Sequence, residues 1–317
     1  MAISDPKRPL IIIGGPTGSG KSGAAVKLAG MIDGEIISAD SVAIYKYLDI
    51  GSAKPTKKEM DGIKHHLISV LEPDEYFGVD RFVSMAMEAV NDIYSRNKTP
   101  ILVGGTHFYV QAFLYGVDFD SEGEHDDSFR TEAAKKASNE AGLCALYEEL
   151  KEKDPEYAAT VHPNNVKRVI RALEYIHYCG EKFSEYNAAQ AARKSDFTFL
   201  YTALNMDRDL LYKRIDKRVD MMIKSGLESE VRSILSMGYD KSLNSLSSIG
   251  YKEMIAYMDG RCDLDTAIDD IKKNTRHFAK RQLTWLKRER DVHILDIDGL
   301  DSANIAERIY KDIPWIN

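Results

Sequence analysis

The sequence has 317 residues, 44% of them hydrophobic and 29% charged, so it can form one large domain or a domain that carries an inserted subdomain. It contains no run of about 18 apolar residues and no apolar core typical of a signal peptide, which argues against a membrane span and against secretion. The formal net charge of −7 argues against a uniformly basic protein. The three dispersed cysteines offer neither a disulfide framework nor a zinc site, so we expect a cytoplasmic protein.

The first third of the chain alternates short apolar strands with helices. Strands are predicted at 10–14, 35–39 and 100–105, and amphipathic or apolar helices at 23–31 and 81–94. Strands that alternate with helices indicate a parallel sheet with helices on its faces.

The pattern changes after residue 116. Residues 118–127 include six acids and no base, which predicts an exposed linker. From 128 to 190 the pattern is helical, with no convincing strand. We therefore expect an α/β core at 1–117 and 191–317, interrupted by an all-helical insertion domain at 118–190.

The core pattern resumes in the last third. A strand is predicted at 197–204 and a long helix from Asp207, whose side chain can cap it. Helical segments follow through 250–290, and a late strand is predicted at 292–297. The expected fold is a P-loop NTPase-like parallel sheet flanked by helices, with the all-helical insertion domain.

A glycine-rich segment after the first strand matches GxxxxGK[ST] in the strand–loop–helix context that the motif requires. Such a loop directs consecutive N–H groups and a helix N-terminus at an anion, with Lys21 on the terminal phosphates and Ser22 on Mg²⁺. The alternative is a glycine-rich turn without a ligand. The predicted phosphate-binding residues are Gly15, Pro16, Thr17, Gly18, Ser19, Gly20, Lys21 and Ser22.

The residues at the ends of two predicted strands indicate what kind of chemistry the sheet edge can support. The strand at 100–105 ends in glycines and Thr106, without the carboxylate that a hydrolysing NTPase usually places there, although Asp296 on the late strand could take that part. Asp40 follows the strand at 35–39, at the edge where open α/β sheets bind ligands. Its position alone allows a Mg²⁺ ligand, an orienting group or a general base.

Residues 272–290 are strongly basic, with eight Lys or Arg and one acid, about +7 by formal count. An acidic protein with one basic face can bind RNA, because phosphates respond to the local field. The alternative is a solvated helix face.

Phe278 and Trp285 lie seven apart, so we expect them on one face in the core, while Phe108 and Tyr109 can line an apolar slot or pack in the core.

Seven motifs occur in order along nearly the whole chain: GPTGSGKS, SADSxxIYKxLDIGSAKP, GGTHFYVQAFLYG, HPNNVKRVIRALE, RVDMMIKSGLESEV, SIGYKE and AKRQLTW. Together they resemble the bacterial tRNA dimethylallyltransferases, also called tRNA isopentenyltransferases, and the resemblance implies that the insertion domain at 118–190 contacts tRNA. The resemblance implies transfer of the dimethylallyl group from dimethylallyl pyrophosphate, with Mg²⁺, to N6 of the adenosine 3′-adjacent to the tRNA anticodon.

The resemblance also implies residue roles. The glycine-rich segment at 15–22, called the phosphate loop below, would hold the donor's pyrophosphate. Asp40 would be the general base, Thr106 would support the reacting centre and Arg218 would bind the phosphates. Contacts to the tRNA anticodon stem-loop are implied for Asp40, Ser41, Val42, Ala43, Lys167, Arg168, Arg171, Lys280, Arg281, Gln282, Trp285 and Lys287.

The chain departs from the family pattern at some positions. Ala43 stands where Gln is frequent, and His107 where Gly is common, which puts individual contacts in doubt. We expect a monomer. The sequence also allows two alternatives: a P-loop small-molecule kinase, and an RNA-binding module that uses the loop as a conformational switch.

Overall fold

The computed structural model describes residues 8–116 and 128–316. The chain forms two compact units, one made of 1–113 with 196–317 and the other of 114–195. The limits of the second unit lie four and five residues outside the expected 118–190. The predicted acidic linker at 118–127 lies outside the described residues.

The first unit is built on a six-stranded sheet in which every strand pair is parallel. The order across the sheet is β3-β2-β4-β1-β5-β6. This confirms the predicted parallel sheet and its five longer strands. The strands are β1 (Pro9–Gly14), β2 (Gly34–Ala39), β3 (His65–His66), β4 (Thr99–Gly104), β5 (Thr198–Asn205) and β6 (Val292–Asp296).

Helices connect the strands and make up the described part of the second unit. They are, in chain order, α1 (Lys21–Ile32), α2 (Val79–Ser95), α3 (His107–Tyr115), α4 (Ser128–Lys136), α5 (Glu140–Lys153), α6 (Pro155–Ala158), α7 (Val166–Cys179), α8 (Phe183–Ala192), α9 (Arg208–Lys224), α10 (Leu227–Ser236), α11 (Tyr251–Met258), α12 (Leu264–Leu286) and α13 (Ser302–Lys311). The predicted cap is confirmed, because Asp207 accepts from the N–H groups of Asp209 and Leu210 at the start of α9. Helices α3, α10 and α13 and the short β3 were not predicted.

The central strand β1 is covered on both faces. Ile11 and Ile13 belong to the main core cluster together with residues of α1 and α13, while Leu10 and Ile12 point to the opposite face, and all four are fully buried. A parallel sheet covered in this way leaves its strand ends open to a ligand.

The second unit has its own core. Leu146 and Leu150 of α5 pack with Val169 and Leu173 of α7. Residues 128–190 form helices and no strand, as predicted. Within 8–116 and 128–316, no helix is both long and apolar enough to cross a membrane.

Candidate active site

The phosphate loop connects β1 to α1 in the predicted context. Gly18 and Gly20 have φ angles of 83° and 90°, which an L side chain adopts only with strain. The ammonium group of Lys21 folds back on the loop and donates to the carbonyl oxygens of Gly15 and Pro16 at 2.8 and 2.7 Å. Lys21 therefore lies at the loop, where a phosphate can replace these carbonyls.

The ends of β2 and β4 bring Asp40 and Thr106 close together. The Thr106 N–H donates to the Ala39 carbonyl at 3.4 Å. A Cβ added at Gly104 would lie 2.1 Å from the same carbonyl oxygen, so only glycine permits this approach of the two backbones. Two predicted site residues thus lie side by side at one sheet edge.

The Asp40 carboxylate is held by its own backbone turn. Its Oδ1 accepts from the N–H groups of Val42 at 2.8 Å and Ala43 at 3.1 Å. No side chain or backbone group of the described residues donates to Oδ2, so one oxygen of a fixed carboxylate is available.

Two cations face this carboxylate. Burial and then the positive charge of Arg218 lower the pKa of Lys21 to about 7, while the carboxylate of Asp40 opposes the shift. Burial also lowers the pKa of Arg218, against the carboxylates of Asp40 and Glu59. Neither cation forms an ion pair within 4 Å with the acids that the structure describes. Two partly buried cations without an ion-pair partner make a site for an anion.

His107, at a position where the related pattern often has glycine, is buried beside this site. Its Nδ1 lies 3.2 Å from the Tyr201 hydroxyl, and its Nε2 has no hydrogen-bond partner in the part of the chain that the structure describes. Burial, and then the charge of Lys21, lower the pKa of His107 to about 3. The imidazole is therefore neutral at physiological pH.

Gln282 joins two loops of the site, a role that the sequence did not reveal. Its Oε1 accepts from the Thr17 N–H at 2.8 Å, and its Nε2 donates to the Gly105 carbonyl at 2.9 Å. The side chain is 6% exposed. Both ends of its amide are used inside the protein, and the predicted tRNA contact by Gln282 stays a prediction.

A cavity of about 310 Å³ is lined in part by Ser41 and Val42, the two residues that follow Asp40 in the chain. Three aromatic rings line one part and polar side chains line another. Burial raises the pKa of Tyr109 to about 12, so its hydroxyl remains a neutral donor. Its lining residues are Ser41, Val42, Tyr45, Phe77, Tyr109, Asn244, Ser245, Ser247 and Ser248.

The segment after Asp40 is held by a carboxylate that the sequence analysis also missed. Glu230 of α10 accepts from the N–H groups of Asp49, Ile50 and Gly51 at 2.7–3.1 Å, and from the Tyr251 hydroxyl at 2.7 Å. Charge-assisted bonds to three consecutive N–H groups fix this loop.

The basic helix α12 is only partly available to RNA. Lys272 and Arg276 form ion pairs with Asp220 and Asp216 of α9, so two of the eight basic side chains hold the fold. The remaining exposed basic side chains include three lysines seven residues apart, a spacing that returns to one helix face. The exposed cations are Lys273, Lys280, Arg281, Lys287 and Arg288.

The expected core position of two aromatic residues on α12 is wrong. Phe278 and Trp285 are only partly buried. The Trp285 indole N–H donates to Glu289 at 3.0 Å, and its ring meets Phe108, which is 42% exposed, edge to face. Trp285 and Phe108 thus form an aromatic surface rather than core.

The other residues with predicted tRNA contacts differ in how far their side chains are exposed to solvent. Lys167 and Arg168 are exposed in the first turn of α7, and Arg171 of the same helix lies 3.4 Å from Glu174. Ala43 is 5% exposed, so its side chain offers no contact surface. The contacts of these residues with tRNA stay predictions.

A dedicated metal cage does not occur among the described residues, since no group of three or more His, Cys, Asp or Glu can hold an ion. Asp296 ends the edge strand β6, with β5 between it and β1, and accepts from Asn205 at 2.6 Å. The arrangement therefore does not support the suggested metal role of Asp296. Ser22 is exposed at the start of α1, which suits an ion held mainly by substrate phosphates and water.

Residues 43–289 match the family profile described as IPP transferase. A tRNA dimethylallyltransferase of Lachnoclostridium phytofermentans is 48% identical over 305 residues, which span 96% of this chain and 97% of that protein.

Two solved structures are also similar. The full-length tRNA isopentenylpyrophosphate transferase of Bacillus halodurans matches with a TM-score of 0.72 and 39% identity, over 97% of this chain and 96% of that one. A eukaryotic dimethylallyltransferase, described as acting on tRNA, matches with a TM-score of 0.79 and 30% identity, over 95% of this chain and 77% of that one.

Proposed function

The chain belongs to the IPP transferase family of tRNA dimethylallyltransferases, and from this premise we propose that it transfers the dimethylallyl group of dimethylallyl pyrophosphate to N6 of the adenosine 3′-adjacent to the tRNA anticodon. Pyrophosphate is the second product. Family membership over nearly the whole chain supports tRNA modification rather than a small-molecule kinase.

The observation that carries the proposal is the pair of cations without an ion-pair partner beside the phosphate loop. Lys21 and Arg218 repel each other and face no carboxylate within ion-pair distance among residues 8–116 and 128–316, so a diphosphate would relieve both. The same charges are needed when the allylic carbon–oxygen bond breaks, because its electrons leave with the pyrophosphate. Electrostatic stabilisation of a leaving anion in a site of this kind is a large catalytic effect.

Asp40 would take the proton that the amine must lose. The N6 lone pair forms the new bond to the allylic carbon, and the N–H proton passes to Oδ2 of Asp40. The two backbone donors hold Oδ1, so the carboxylate does not have to reorient during the reaction. A well-placed base of this type contributes about 10²–10⁴-fold.

The cavity beside Asp40 suits the acceptor base. Aromatic rings offer stacking surfaces, and Asn244 with the neighbouring serines offers donors and acceptors for a base edge. An adenosine reaches such a pocket only after it leaves the anticodon-loop stack, which costs a few kcal/mol.

Magnesium fits as a partner of the substrate rather than of the protein alone. Ser22 would share it with diphosphate oxygens and water, and the bound ion would neutralise phosphate charge. The exposed cations of α12 and of the residues that follow it, including Lys280, Arg281 and Lys287, and those of α7 would bind the RNA backbone, which would position the anticodon stem-loop.

The test is a transfer assay without ATP. The protein is incubated with Mg²⁺, unmodified tRNA and dimethylallyl pyrophosphate labelled in the allyl group, and label in RNA is counted. We expect the label on adenosine next to the anticodon, and none on a matched tRNA with guanosine there. Absence of label from both RNAs would overturn the proposal, and so would a requirement for ATP.

A further inference from the structure

One buried amide connects the helix that carries the basic face to the phosphate loop. The side chain of Gln282 has one acceptor and one donor oriented in opposite directions, towards Thr17 and Gly105. Reversing the amide would place like groups against each other at both contacts. The hydrogen bonds therefore fix its orientation.

The contact with Gly105 is also steric. A Cβ at this glycine would lie 2.2 Å from Nε2 of Gln282, so the amide lies directly on the backbone between Gly104 and Thr106. Thr106 is next to Asp40, and Thr17 belongs to the phosphate loop. A single side chain thus holds both halves of the candidate site.

The opposite side of the same turn of α12 faces solvent. Ala279 and Leu286 are buried with Gln282, at spacings of three and four residues, while Lys280 and Arg281 are exposed. A rigid helix that is fixed on its outer face by RNA phosphates is also fixed on its inner face. A shift of the helix would change both hydrogen bonds of Gln282 at once.

We propose that Gln282 is a positioning residue through which RNA docking on α12 and diphosphate binding on the phosphate loop favour each other. The inference rests on the proposed function, which supplies the two ligands. RNA would restrain α12, and a diphosphate would order the loop that contains Thr17. Because both ligands favour the same bridged arrangement, each should raise the affinity for the other by the same factor.

The experiment measures the Kd of inorganic pyrophosphate with Mg²⁺, with and without a saturating anticodon stem-loop RNA. For the unmodified protein we expect RNA to tighten pyrophosphate binding about fivefold or more, within the usual range of coupling. In Gln282→Met, which keeps the length but loses both hydrogen bonds, the two Kd values should become equal. Gln282→Glu keeps the acceptor for Thr17 and loses the donor to Gly105, so it should retain at most part of the coupling.

Lys280→Gln is the matched control, since it lies two residues away on the exposed face. It should weaken RNA binding, yet at saturating RNA it should keep the full effect on pyrophosphate. Equal pyrophosphate affinity with and without RNA in the unmodified protein would overturn the inference, and so would full coupling in Gln282→Met. If that variant is unfolded by its melting curve, the Gln282→Glu result decides.

Failure of the proposed function can be distinguished from failure of the coupling through Gln282. If the unmodified protein binds neither the stem-loop nor pyrophosphate, the proposed function itself is wrong. If it binds both ligands independently, only the coupling through Gln282 is wrong.

Discussion

The lowered pKa of Lys21 predicts that pyrophosphate binding takes up a proton. The ligand-free pKa is about 7, because the amine is buried and near Arg218. A bound diphosphate adds negative charge and favours the ammonium form, so the pKa should return towards its ordinary value of 10.5. His107, the neighbouring titratable ring, has a pKa of about 3 and stays neutral in this range.

The expected size follows from these pKa values. At pH 8 about 0.9 of the Lys21 amines are neutral in the free protein, so about 0.9 proton should bind with the ligand, against about 0.1 at pH 6. The contribution of Lys21 to pyrophosphate affinity should therefore fall about tenfold between pH 6 and pH 8, or about 1.4 kcal/mol. The same shift makes the ligand-free fold gain stability as the pH rises from about 7 towards 10.5, where the unfolded chain binds the extra proton.

Calorimetry in two buffers of different ionisation enthalpy measures this uptake. Pyrophosphate has its own titration, so the comparison is with Lys21→Met, which binds the same ligand without the amine. Lys27→Met, on the exposed side of α1 and paired with Asp61 at 3.0 Å, should behave as the unmodified protein does. Equal proton uptake by the unmodified protein and Lys21→Met at pH 8 would refute the reasoning.

Three further predictions concern the base, the RNA surface and the fold. Asp40→Asn keeps the shape and the Oδ1 acceptor, so kcat should fall about 10²–10⁴-fold with little change in tRNA affinity; preserved turnover at saturation would contradict the base role. Lys280→Ala should lower the slope of log affinity against log salt by about one, and an unchanged slope in a filter-binding series would remove this residue from the interface. Gly104→Ala should lower the free energy of unfolding, measured in urea, by about 3 kcal/mol because its Cβ meets the Ala39 carbonyl. Gly30→Ala, with open space around it in α1, should raise the free energy of unfolding by about 0.5–1 kcal/mol.

The sheet and the ends of its strands could be predicted because they follow from local patterns. Apolar β-branched runs located β1, β2 and β4, and parallel pairing then placed the phosphate loop, Asp40 and Thr106 at one edge. By contrast, β3 has two residues and shows no periodicity. Helix α3 is apolar almost throughout, so no amphipathic pattern marks it. Helix α13 did carry a signal, the Asp301 cap followed by Ile305 and Ile309.

Long-range contacts of single side chains were beyond the sequence. Gln282 and Thr17 are 265 residues apart, and nothing in the composition of α12 marks this glutamine as buried. The ion pairs of Lys272 and Arg276 depend on how α9 packs against α12, so the basic segment looked more available to RNA than it is. Spacing correctly put Phe278 and Trp285 on one face but could not show that the face is only partly covered.

Backbone contacts keep the carboxylate of Asp40 from forming an ion pair with Lys21 or Arg218. Asp40 is close enough to influence both Lys21 and Arg218, yet it pairs with neither. Two backbone N–H groups already bind Oδ1, and the close contact of Gly104 with Ala39 fixes the strand end from which the carboxylate projects. A carboxylate free to rotate would form an ion pair with the cations, which would remove both the anion site and the base. Restraint by the backbone therefore keeps the cations ready for a diphosphate and Oδ2 ready for a proton, at the cost of leaving buried charge unpaired in the ligand-free protein.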